Sequence, residues 1–166
     1  MGTHIPGTTN AIAPLLSAAD VLFDVDASDS RALLGAIGRL FERRHALSAQ
    51  AVADGLGARE KLGSTGLGHG VAIPHARVKG LRNVVAAVVH TRLAIAFDAP
   101  DGKPVTDFAV LLIPERATEE HLRTLAAIAE MFADREIRAA LRSCADEREL
   151  LGLYGAWPNF GGRKNV

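Results

Sequence analysis

The order of its segments predicts an α/β (α+β) protein: a three-layer sandwich in which a mixed β-sheet is flanked by helices on both faces. Three observations carry that reading. Leu33, Leu34, Ile37, Leu40 and Phe41 recur at helical spacing and form one buried stripe. Phe108–Ile113 (FAVLLI) is a continuous apolar run, the mark of a central strand covered on both faces. Helical patterns precede and follow a block of β-type runs, an order that suits a sheet packed between helices.

The elements follow in turn. Ile12–Ser17 suits a short helical turn, and Val21–Val25 (VLFDV) a short strand. Ser28, Asp29 and Ser30 offer caps for a helix over about 30–44. Ser48 can cap a second helix reaching about Lys61, weakened near its middle by Gly55 and Gly57 at roughly 1 kcal/mol each relative to Ala. Residues 63–70 (GSTGLGHG) carry four glycines and read as a loop. A short strand, Gly70–Ile73, then stops at Pro74. Asn83–Thr91 is a Val-rich strand, and Ala94–Phe97 reads as another. Asp101-Gly102 marks a turn before the central strand, which Pro114 ends. Thr118 can cap a helix opening with Glu119 and Glu120, acids at the positive end of the dipole. Its expected buried stripe is Leu122, Leu125, Ala129 and Phe132. Two short helices follow, around Ile137–Leu141 and Leu150–Leu153.

Length and charge bound the function. At 166 residues the chain is one domain, expected over 11–156 between loose tails at 1–10 and 157–166. Lys+Arg and Asp+Glu are both 19, which argues against a dedicated nucleic-acid binder. The single cysteine, Cys144, excludes multi-cysteine metal sites and an intramolecular disulfide, and a reducing cytoplasm is the expected compartment. No signal peptide or membrane span is visible.

The stretch Glu60–Arg77 (EKLGSTGLGHGVAIPHAR) is the most informative. It is not a Walker loop, because His69-Gly70 stands where Lys-Ser/Thr is needed. GxGxxG, GxSxG and HExxH are absent. His69 and His75 lack a carboxylate or cysteine at ligand spacing, so no metal or cofactor is expected. A strand delivers the chain to Ile73-Pro74-His75, and proline cannot continue the ladder. His75 is therefore expected at a strand end, beside a glycine-rich loop that lets another molecule approach. A neutral imidazole is a competent nucleophile, and the chain offers no better one. A plain turn residue is the alternative reading.

The run Arg59-Glu60-Lys61-Leu62-Gly63-Ser64-Thr65-Gly66, followed by Gly70-Val71-Ala72-Ile73-Pro74-His75, resembles the signature of enzyme IIA domains of the bacterial phosphoenolpyruvate-dependent phosphotransferase system, fructose/mannitol type. Within that type the likeness is strongest to nitrogen-regulatory enzyme IIA. It continues through Ala94–Ala99, Val105, Asp107, Leu111–Pro114 and His121-Leu122, and so spans about residues 12–155. The resemblance implies the fold shared by phosphotransferase and anion-transport proteins. It also implies that His75 accepts a phosphoryl group from an upstream histidine phosphocarrier, with His121 beside it and Arg59 facing the phosphate.

Elementary chemistry agrees with those roles. Phosphoryl transfer needs in-line positioning and neutralised oxygens. Arg59 offers a fork of donors, His121 would sit at a helix start that favours anions, and Ser64 and Thr65 add hydroxyls. Each residue also admits a structural role: Arg59 paired with Glu60 or Asp54, His121 exposed and apart, Ser64 and Thr65 as loop caps. His69 is of interest only if it lies near His75, and His90 reads as structural. The expected function is a phosphohistidine carrier of nitrogen-regulatory type. Its regulatory partners, as in the family, would include kinases or potassium-transport proteins. A sugar-branch enzyme IIA feeding a IIB component and a non-catalytic interaction module are the alternatives. A positive docking edge is expected at Arg59 and Arg77.

Overall fold

The computed structural model describes residues 10–159. Of the tails expected at 1–10 and 157–166, residues 1–9 and 160–166, with the glycine-rich Gly161–Lys164, lie outside the described residues. The strands are β1 (Val21–Val25), β2 (Gly66–Gly68), β3 (Val71–Ala72), β4 (His75–Val78), β5 (Val85–Ile95) and β6 (Val105–Pro114). The helices are α1 (Ser30–His45), α2 (Ala49–Lys61), α3 (Glu119–Ala133), α4 (Arg135–Arg142) and α5 (Glu147–Ala156).

The strands form one mixed sheet in the order β1-β5-β6-β3-β2, with β4 also paired to β6. β6 is its centre, antiparallel to β5 and parallel to β3 and β4. Its apolar run alternates between two cores. Ala109, Leu111 and Ile113 join Ile128, Met131 and Phe132 of α3. Phe108, Val110 and Leu112 join Leu33, Ile37, Phe41, Val52 and Leu56 of α1 and α2. Helices cover both faces, which is the three-layer arrangement expected.

Helix ends match the cap signals. Asp29 Oδ1 accepts from Ala32 N–H at 2.8 Å, and Ser48 Oγ from Ala51 N–H at 3.2 Å. α2 runs unbroken through Gly55 and Gly57, and both positions have room for a side chain. A Cβ at Gly55 would lie 3.6 Å from the Ala76 side chain, and one at Gly57 3.8 Å from Leu34. Both distances are ordinary van der Waals contact, so the glycines weaken the helix without being required by its packing.

Several expectations shift. Gly66–Gly68, expected as loop, forms β2 and pairs antiparallel with β3. Pro74 does interrupt the strand, but pairing resumes: His75 opens β4 opposite Leu111 rather than standing in a loop. Proline lacks only the donor, and Pro74 O still accepts from Leu111 N–H at 3.0 Å. Ala94–Phe97 is not a separate strand. β5 runs on to Ile95 through a register shift after His90. Leu122, expected in the buried stripe of α3, is 58% exposed, whereas Ile128, Met131 and Phe132 are buried. The first turn of α3 overhangs the sheet, so only its later turns meet the core. Trp157, expected to start a tail, is buried, and its Nε1 donates to Asp134 Oδ2 at 3.0 Å.

Two polar groups are built into the sheet. His90 Nδ1 lies 2.8 Å from Asp107 Oδ1, and Thr106 Oγ1 donates to Asp107 Oδ2 at 2.9 Å. Phe23 stacks on the His90 ring. The hydrogen bond to Asp107 outweighs burial and raises the His90 pKa above its ordinary value. The stability from this pair is therefore complete below the ordinary histidine range and is lost as pH rises through the raised value. Urea midpoints measured from pH 5.5 to 8.5 should fall with rising pH through that window, and His90→Gln should flatten this part of the profile.

α1 and α2 cross at Gly38, where a Cβ would stand 2.3 Å from the Ala49 carbonyl oxygen. Backbone cannot swing aside as a side-chain tip can. Gly38→Ala should cost about 1–3 kcal/mol and lower Tm by roughly 2–4 °C per kcal/mol in a thermal melt.

Candidate functional site

β4 and β6 end together at the rim of the sheet, and the chain turns there into α3. β4 pairs His75 with Leu111 and Arg77 with Ile113. Leu111 and Ile113 belong to the core under α3, whereas Ala76 belongs to the core under α1 and α2. Side chains alternate along a strand. His75 therefore leaves the sheet on the α3 face, at the end where α3 begins with His121 in its first turn.

Both rings are fixed in tautomer by their neighbours. His75 Nδ1 donates to the Ile73 carbonyl at 2.8 Å. A carbonyl only accepts, so the proton is on Nδ1 and the Nε2 lone pair is available. At His121 the assignment is opposite: the Thr118 N–H donates to His121 Nδ1 at 3.0 Å. Its Nε2 then carries the proton and is a donor. The half-buried pair thus offers one nucleophilic nitrogen and one N–H donor at the same rim. The first backbone N–H groups of a helix lack intrahelical partners and favour an anion nearby.

Arg59, Ser64 and Thr65 shape the loop that flanks this rim. Arg59 Nη1 donates to Gly63 O at 2.7 Å, and neither Glu60 nor Asp54 is its partner. Asp54 instead accepts from Gln50. Ser64 Oγ donates to Phe97 O at 2.6 Å and accepts from Gly66 N–H at 3.0 Å. Thr65 is buried, and its hydroxyl donates to Glu60 Oε1 while Glu60 Oε2 accepts from Thr65 N–H at 3.0 Å. Both hydroxyl protons are thus committed inside the protein. Thr65 O accepts from Ile73 N–H at 3.1 Å, which ties the loop to the segment carrying His75. Gly66 must be small here, since a Cβ would lie 3.0 Å from that of Ala99.

Glu60 is the loop-holding residue that the sequence reading passed over. A carboxylate in the last turn of a helix opposes the dipole, and that misfit was the available signal. His69 stands apart from His75. It precedes Val71, which pairs with Asp107, four β6 positions from Leu111; that is about 13 Å along the strand. Its N–H donates to Asp101 Oδ2 at 2.8 Å. The hydrogen bonds from His69 and Lys103 N–H hold the Asp101 pKa below its ordinary value.

A groove of about 790 Å³ runs between α1, α2 and residues 96–98, bordered by Ser64 and Glu60 but by neither His75 nor His121. The histidine pair sits on an open rim, a shape that admits another protein's surface more readily than it encloses a small molecule.

Comparison with known proteins identifies the relatives of this chain. The family described as "Phosphoenolpyruvate-dependent sugar phosphotransferase system, EIIA 2" matches residues 14–153. A nitrogen regulatory protein of Pseudomonas aeruginosa is 45% identical over 123 residues, covering 74% of this chain and 80% of that protein. The crystal structure of nitrogen regulatory protein IIA-Ntr from Neisseria meningitidis superposes with a TM-score of 0.81 at 41% identity, over 86% of this chain and 98% of that one. IIA mannitol from Escherichia coli shares the fold, with a TM-score of 0.66 at 19% identity over 84% and 98% of the two chains. No helix among the described residues is long and apolar enough to cross a membrane. The chain belongs to the EIIA 2 family of the phosphoenolpyruvate-dependent phosphotransferase system, and within that family it is similar to the nitrogen regulatory proteins.

Proposed function

We propose that this chain is a phosphohistidine carrier of nitrogen-regulatory type, which accepts a phosphoryl group on His75 Nε2 from an upstream histidine phosphocarrier. The observation that carries the reading is the 2.8 Å bond from His75 Nδ1 to Ile73 O, which in the neutral ring puts the proton on Nδ1 and the free lone pair on Nε2. Attack needs no general base, because the attacking nitrogen has no proton to lose. His121 Nε2–H and the start of α3 stabilise the phosphoryl oxygens as charge gathers on them. Arg59 holds the Gly63 carbonyl with one nitrogen and has further N–H groups to offer an anion. Ser64 and Thr65 would reach the phosphoryl group only by giving up their bonds to Phe97 and Glu60. Their role in this reading is to set the loop.

The nitrogen-regulatory branch is favoured over a sugar branch because the similarity to IIA mannitol supports the fold alone. In this role the charge on His75 is the signal, read by regulatory proteins that dock on the same rim. Exposed Leu62 and Leu122, on the loop and on α3, give that surface its apolar element.

Incubation with the phosphorylated carrier should give acid-labile, base-stable label on the parent and none on His75→Ala. Equal labelling of that variant would overturn the assignment. His121→Ala should still be labelled, but on the order of 100-fold more slowly, as followed by rapid-quench kinetics. Transfer of the label to a sugar-specific IIB component would instead favour the sugar branch.

A further inference from the structure

We infer that Arg77 is a phosphoryl-binding residue of this site, its guanidinium closing on the oxygens of a phosphoryl group carried by His75. The inference rests on the reading of His75 as acceptor. β4 places His75 and Arg77 opposite Leu111 and Ile113 of β6, so both leave the sheet on the α3 face. Two residues of strand separate them by about 6.7 Å, within reach of an extended arginine. Arg77 is exposed, and among the described residues no carboxylate lies within ion-pair distance of it. From Lys61 through Phe97 the chain contains no Asp or Glu, so its own segment offers no competing anion. The acids at this rim, Glu115, Glu119 and Glu120, share the α3 side with Arg77, but none is within ion-pair distance of it, and Glu119 faces Arg123 at 3.6 Å.

Arg59 is placed differently. One of its nitrogens is tied to the Gly63 carbonyl, on the loop. Arg77 shares a rigid strand with the nucleophile itself, so its approach to the phosphoryl group is set by β4 and not by loop motion. Guanidinium presents a planar fork that matches two phosphate oxygens.

The step balances without a further reactant. The His75 Nε2 lone pair forms the new N–P bond as the donor's P–N bond breaks, and the donor nitrogen keeps that electron pair. Nδ1 retains its proton, facing Ile73 O. The phosphorylated ring is then cationic at that edge, while the incoming group brings its negative charge to the rim where Arg77 stands.

Potassium phosphoramidate tests this, because so small a donor needs no protein docking. The full chain, Arg77→Ala, Arg77→Lys and His75→Ala would be treated in parallel, with labelling followed by intact mass and ³¹P NMR and folding checked by thermal melts. The parent should gain one phosphoryl group and His75→Ala none. Arg77→Ala should label about tenfold more slowly and show a shifted ³¹P resonance, and Arg77→Lys should recover part of the rate. If Arg77→Ala matches the parent in rate and resonance while His75→Ala is unlabelled, Arg77 does not bind the phosphoryl group and the His75 reading stands. A defect of Arg77→Ala seen only with the protein carrier would mark a docking residue and overturn the inference in the same way. Equal labelling of His75→Ala would overturn the His75 reading, and the inference with it.

Discussion

Pro74 constrains the site through what it withholds from the sheet. β3 and β4 are two halves of one interrupted strand, both parallel to β6, and the proline between them donates nothing to the ladder. Its carbonyl still accepts from Leu111 N–H, so the segment stays on the sheet. The preceding residue, Ile73, turns its N–H to Thr65 O and its carbonyl to His75 Nδ1. One interruption therefore anchors the glycine loop, selects the tautomer of the neutral His75 ring and leaves that ring on the α3 face. A residue with an N–H at this position would let the ladder run on.

The sandwich was legible because β6 states it outright. A strand whose side chains are all apolar from Phe108 to Ile113, on both parities, must have a core on each face, and helices are what remained to supply them. The cap signals worked for a similar reason: Asp29 and Ser48 act within three residues of themselves, so no tertiary knowledge is needed. What failed depended on distant partners. Gly66–Gly68 reads as loop by composition, yet β3 recruits it as an edge. Leu122 obeys the helical period, but the period does not say where the sheet stops beneath the helix.

The site was legible to a different depth. Residue type and the proline were enough to single out His75, and the resemblance pointed to His121. Which ring nitrogen carries the proton was not readable, since that is fixed by a carbonyl and a backbone N–H that sequence does not display. The hydroxyls of Ser64 and Thr65 look available in a string of letters. In three dimensions their protons belong to Phe97 and Glu60. Glu60 shows how a violated local rule marks such a site: the α2 dipole disfavours it there, and the loop requires it.

A relay must also release what it accepts, and this limits how well the site can hold a phosphoryl group. Donor and acceptor are both N–P bonds of imidazole, so transfer is close to balanced, and every added donor deepens the acceptor's well. A buried cage of hydroxyls, amides and arginines would trap the group. An open rim, with hydroxyls occupied elsewhere and cations exposed to solvent, keeps each interaction weak through screening. The net charge of zero fits the same requirement. Charge is needed locally and moderately around His75, where a partner can add or remove its own. Sparse stabilisation in this fold is thus a condition of carrying phosphate between proteins.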